Sequence, residues 1–154
     1  MGGVPFPRKI RLPDDAYLNP EHVFHIVIHA TPRKVPFQDQ AIGDAVWATC
    51  LEATSRGAVH ILAACLMPDH LHVVAKPATS SVTRWVNAFK SYSTTKAWMA
   101  GWNGVLWQPS FFDRRLRDQE EFDAAIAYVL RNPVAASLID ETDSWRWAYR
   151  APAD

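Results

Sequence analysis

Met67-Pro68-Asp69-His70-Leu71-His72-Val73-Val74 is the stretch around which the rest of the chain is read. An apolar, β-branched run follows a Pro-Asp turn signal, as expected of a strand leaving a hairpin. Residues i and i+2 of a strand point to the same face. His70 and His72 therefore present two imidazoles on one face, with Leu71, Val73 and Ala75 on the other. Neutral imidazole is a common ligand of divalent metals, and two on adjacent same-side positions form half of a chelate. The competing reading of a bare His-x-His is two polar residues on the solvated face of a half-buried sheet.

The whole chain bounds what this stretch can belong to. Its 154 residues, 49% of them apolar, suit one globular domain with a real core. No run approaches the ~18 apolar residues of a membrane span, and Met1 to Pro13 lacks a hydrophobic signal core. The expected location is the cytoplasm, with no membrane partner. Cys50 and Cys65 fall within apolar elements and read as small core residues. Basic and acidic residues balance at 16 each. Indiscriminate coating of duplex DNA usually needs a basic excess, so nucleic acid would have to be met through a local patch. Seven tryptophans offer base-stacking surfaces, although most tryptophans are core or core-edge residues.

Taken in order, residues 1–21 are rich in Pro and charge and read as an irregular arm. Val23 to Ala30 alternates as a strand, Phe24, Ile26 and Ile28 against His25, Val27 and His29. The latter two histidines suit further ligands, a substrate groove or structural hydrogen bonds. Gln38 to Arg56 has amphipathic helical spacing, with Gly57 as its stop. Val59 to Met67 is continuously apolar, hence a buried strand, and Pro68-Asp69 joins it to the strand from His70 to Lys76. A second helix runs from Ser81 towards Gly101 through Val82, Trp85, Val86, Phe89 and Ser93. Phe112, Arg114 and Leu116 alternate with Asp113, Arg115 and Arg117 in a strand after a loop. Asp118 to Glu121 starts a third helix by an Asp cap with Glu121 reaching back. Its stripe is Phe122, Ile126 and Val129, and Pro133 predicts an end near Asn132. Residues 134–154 form a tail with Trp145 and Trp147 that packs back over the domain.

Strand, helix, strand, strand, helix, strand, helix predicts a single α+β domain over residues 1–154. Its form is a ferredoxin-like (RRM-like) antiparallel sheet with helices on one face and an open catalytic face bearing His70 and His72. On the last helix Tyr128 and Asn132, four apart, share a side. One element thus supplies a phenol and a carboxamide oxygen. A divalent ion held by two imidazoles and an amide oxygen would keep positions open for a phosphate. Tyrosine, with a pKa near ~10, needs a base or nearby positive charge to attack at neutral pH. Tyr92 is an equal rival as nucleophile on physical grounds.

A resemblance separates the two. Leu66-Met67-Pro68-Asp69 with His70-Leu71-His72 comes first, then Lys90-Ser91-Tyr92, then Leu106-Trp107-Gln108-Pro109 with Phe112-Asp113-Arg114. Tyr128-Val129-Leu130-Arg131-Asn132-Pro133-Val134 and Trp145-Arg146-Trp147 follow. In this order the set resembles the REP-associated tyrosine transposases, a branch of the single-tyrosine HUH (IS200-like) transposases of bacterial insertion sequences. The resemblance runs from His22 to Tyr149. It implies His70, His72 and Asn132 as metal ligands, Tyr128 as nucleophile, and a structural or DNA-side role for Tyr92. It further implies Mg²⁺ or Mn²⁺, and nicking of single-stranded DNA beside imperfect hairpins through a 5′-phosphotyrosine intermediate. Both dimeric and monomeric relatives occur, so a homodimer is one of two assemblies it allows. Many relatives continue beyond the Trp145/Trp147 element, which implies reduced hairpin recognition here.

For DNA contact the candidates are Arg114, Arg115 and Arg117, then Lys90, with Trp107 stacking on an unpaired base. The plainer reading is a solvated basic rim with Trp107 as a core plug. Two other functions compete. A histidine-triad-like hydrolase would need a histidine where Pro68 stands, and proline can be neither ligand nor base. A non-catalytic binder of hairpin or single-stranded DNA would keep the sheet without strand transfer.

Overall fold

The computed structural model describes residues 12–153, so residues 1–11 of the expected arm lie outside it. Five strands form one sheet: β1 (Val23–His29), β2 (Val59–Met67), β3 (His70–Pro77), β4 (Phe112–Leu116) and β5 (Ala148–Arg150). Their spatial order is β4-β1-β3-β2-β5, every pair antiparallel. Three helices pack on it: α1 (Gln40–Ser55), α2 (Val82–Met99) and α3 (Gln119–Ala135). This is the expected α+β class. The described part of the arm is not wholly irregular, because Asp14–Tyr17 forms a 3-10 turn and buries Tyr17, whose hydroxyl donates to buried Asp113.

Each helix starts at a side-chain cap. Asp39 accepts from the backbone of Ala41 and Ile42, Ser81 from Arg84, and Asp118 from Glu121. Glu121 reaches back as expected, but one residue further, to the backbone N–H of Arg117. Gly57 follows α1 with φ +72°, a conformation that suits glycine.

The alternation of β1 and β3 sorts the core into two layers. Phe24, Ile26, Ile28, Leu71, Val73 and Ala75 face α1 and α2, packing with Val46, Cys50, Val86 and Phe89. On the other face Ala63, Cys65, Met67 and Val74 pack against Ala125, Ile126 and Val129 of α3. Strand β2 is apolar at nearly every position because it is covered on both sides. The helices therefore do not share one face: α3 crosses the histidine face and leaves it a cleft rather than an open sheet. Its apolar stripe would otherwise lie exposed.

The third helix also passes its predicted end. It continues through Pro133, which is buried, to Ala135, where the backbone N–H of Ala136 bonds the carbonyl of Asn132. Near a helix end the amide hydrogen that proline lacks is a single lost bond, and packing offsets it. The tail then returns along β2: Trp145 Nε1 donates to the Leu66 carbonyl, Trp147 joins the α1/α2 core, and β5 pairs with β2.

Candidate active site

The pairing of β1 with β3 sets His29 opposite His70 and Val27 opposite His72. Because the strands alternate, His25, His29, His70 and His72 all leave from the α3 side. His70 and His72 meet edge to face, ring centroids 4.8 Å apart, while His29 stacks on His70 at 5.5 Å. His72 is nearly enclosed, 4% exposed.

The hydrogen bonding of the two adjacent histidines follows one rule. His70 Nδ1 donates to the Asp69 carboxylate at 2.6 Å. His72 Nδ1 lies 3.0 Å from His25 Nε2. Both rings thus engage through Nδ1, which leaves both Nε2 atoms as potential donors to a metal. Burial, reinforced by His70, His25 and His29, pushes His72 down to about 2. Burial and then the Arg114 charge push His25 down to about 4. His29 is lowered as well, by burial and then by His70, against an opposing pull from Asp69. These rings are neutral at physiological pH, the form in which imidazole binds metal.

Helix α3 brings Tyr128 over this row. Its ring stands edge-on to His72, centroids 5.5 Å apart at 84°, and to His25 at 6.0 Å and 62°. The residue is 57% exposed, so the phenol is reachable from solvent while its ring touches the histidines. Asn132 follows one turn later on the same side of the helix, half-buried. A cleft of about 750 Å³ opens beside Tyr128, bounded by His25, His72, Phe112, Arg114 and the first turns of α3. Arg114, in register with His25 across β1 and β4, pairs with Glu121 at 3.0 Å. Among the described residues no group of three or more His, Cys, Asp or Glu side chains converges on a metal position. Two imidazoles, with one amide on the neighbouring helix, are donor types that suit a metal which also takes phosphate oxygen and water.

Residues 20–132 match the family model described as IS200-like transposase. The chain belongs to the IS200-like transposase family. Its fold is that of a REP-associated tyrosine transposase solved bound to a REP hairpin, with a TM-score of 0.69 and 16% identity over 91% of this chain and 81% of that one. A candidate transposase from Deinococcus radiodurans R1 matches with a TM-score of 0.53 and 21% identity, over 71% of this chain and 88% of that one. No curated protein sequence matches.

Within this IS200-like transposase, His72, Tyr128 and Arg114 line one cleft and His70 stands beside His72, but the other expected DNA contacts lie elsewhere. Arg115 is in register with Phe24, whose side chain lies in the α1/α2 core, and so leaves from the opposite face. Arg117, just past β4, lends its backbone N–H to Glu121. The amine of Lys90 donates to the carbonyls of Gln108 and Ser110 and ties down that loop. Trp107 is 5% exposed, lies against Phe37 and Phe89, and donates to Ser93. It is a core plug with no face free for a base. Tyr92 stands on α2, beyond the sheet from the histidines and 60% exposed.

His25 and Asp69 were the partners hardest to see in the sequence. Asp69 reads there as a turn residue and His25 as one of several uses for a strand histidine. The shared alternation of His25 and His29 with His70 and His72 is the signal, and it needs the strand pairing to become legible.

Proposed function

We propose that this chain is a metal-dependent single-stranded DNA strand transferase in which Tyr128 is the nucleophile. His70, His72 and Asn132 would be the metal ligands. The observation that carries the reading is the edge-on seating of Tyr128 against His72, with the Nε2 atoms of both His70 and His72 left uncommitted. Mg²⁺ or Mn²⁺, when bound there, would polarise the scissile phosphate and offset the charge gained in the transition state.

The protein's own part is positioning and proton handling. Tyr128 Oη gives up its proton and attacks phosphorus as the bond to the 3′-oxygen breaks. That oxygen takes a proton and leaves as a 3′-hydroxyl, and Tyr128 keeps the 5′-phosphate. Rejoining reverses the sequence with an incoming 3′-hydroxyl and restores the phenol. Arg114, on the rim of the cleft, is suited to hold a neighbouring phosphate. The substrate we favour is single-stranded DNA beside a hairpin, by analogy with the hairpin-bound neighbour, met in the cytoplasm.

The test is a denaturing gel for a covalent adduct with labelled hairpin DNA from the gene's own flanks, in Mn²⁺ or EDTA. Wild type, Tyr128→Phe and Tyr92→Phe run side by side. A metal-dependent adduct retained by Tyr92→Phe and lost by Tyr128→Phe supports the assignment. Loss in Tyr92→Phe alone overturns it. Hairpins shifted without any adduct would favour the non-catalytic binder.

A further inference from the structure

His25 lies outside the ligand set just proposed, yet it touches both halves of the machinery. Its Nε2 is 3.0 Å from Nδ1 of His72, and its ring meets Tyr128 at 6.0 Å. We infer that His25 is a positioning residue: it accepts the Nδ1 proton of His72 and so holds that ring in the one neutral tautomer whose Nε2 can bind metal. The inference rests on the metal-site reading above.

The logic is one of proton inventory. A neutral imidazole carries one N–H, and its other nitrogen is the acceptor or ligand. If His25 donated to His72 Nδ1, the single N–H of His72 would sit on Nε2 and block coordination. If His25 accepts, His72 Nε2 keeps its lone pair. His70 gains the same result from Asp69, because a carboxylate can only accept. The two adjacent histidines therefore have different orienting partners, a carboxylate at an exposed turn and an imidazole in the wall of the cleft. The partner differs because His72 is enclosed: an unpaired carboxylate there would bear a heavy burial cost, which a neutral ring avoids. Partners of this kind keep a ligand ring from turning and commonly change metal affinity by about ten- to a hundredfold.

Mn²⁺ binding to the full chain, measured by calorimetry, tests this with wild type, His25→Leu, His25→Gln and His72→Ala. The expected result is affinity weakened about ten- to a hundredfold in His25→Leu and largely restored in His25→Gln, whose amide oxygen can accept the same proton. A second readout is the nitrogen-15 spectrum of metal-free wild type, in which His72 should carry its proton on Nδ1. This readout needs no variant to fold. A proton on Nε2, or wild-type affinity in a folded His25→Leu, overturns the role of His25. Wild-type affinity in His72→Ala would instead sink the metal-site reading, and the inference with it.

Discussion

Trp147 lies close against Gly43, so that a Cβ at position 43 would overlap the six-membered ring of the indole. The same indole donates to Asp44, which Arg146 also grips through two nitrogens. Gly43 is thus the seat of the C-terminal clasp. Gly43→Ala should lower stability by about 1–3 kcal/mol through overpacking, despite alanine's better helix propensity. Thermal melting followed by tryptophan fluorescence checks this, and an unchanged or higher midpoint would show that the seat is loose.

Arg114 and Arg115 are neighbours on opposite faces, which separates a phosphate contact from a general effect of charge. Arg114→Ala should weaken binding of single-stranded DNA and reduce the slope of log K against log salt by about 0.7, the value for one phosphate contact. Arg115→Ala removes the same charge and should leave the slope near its wild-type value. Equal changes in the two would place the DNA elsewhere.

Glu121 holds Arg114 through one carboxylate oxygen and the Arg117 backbone through the other. Glu121→Gln keeps an acceptor for the backbone and removes the charge that ties down the guanidinium. Binding of single-stranded DNA should tighten roughly two- to fivefold, the scale of an exposed ion pair. Weaker binding would mean that Arg114 works only while paired.

The buried histidines tie stability to pH. His25 and His72 have folded values of about 4 and about 2 against an ordinary 6.5, so the unfolded chain binds more protons below pH 6.5. Stability therefore rises with pH in this range and is lost on acidification. For metal-free protein the loss between pH 6.5 and pH 4 should be on the order of 1 kcal/mol per pH unit for each ring. His25→Gln should flatten the profile measured by urea unfolding. A profile already flat in wild type would mean that the rings are hydrated.

Trp107→Phe removes the indole donor to buried Ser93 while keeping an aromatic ring between Phe37 and Phe89. The cost should be about 1–3 kcal/mol of stability, with DNA affinity unchanged. A selective loss of DNA binding would return Trp107 to the interface.

The sequence made the strands and the histidine face readable because both rest on local alternation. His70 and His72 share a face whatever the rest of the chain does, and Tyr128 and Asn132 share a side of any helix. What local reading missed depends on pairing and layering. Nothing near residue 119 says that α3 crosses the histidine face while α1 and α2 take the other. The surroundings of Lys90 and Trp107 are hidden for a related reason. A cation or an aromatic ring looks available in one dimension until the carbonyls of Gln108 and Ser110, or the rings of Phe37 and Phe89, close upon it. Arg114 and Arg115 look alike by charge, and the strand's own alternation divides them.

The two packing layers have a mechanical meaning. The histidine row is bolted to the large α1/α2 layer, whereas Tyr128 rides on a beam whose footing is a handful of side chains, chiefly Cys65, Met67, Val74, Ile126 and Val129. Trimming that footing should shift the beam and leave the row where it is. The spacing of Tyr128 from the histidine row is thereby an adjustable dimension of the molecule, set by apolar residues that lie outside the cleft.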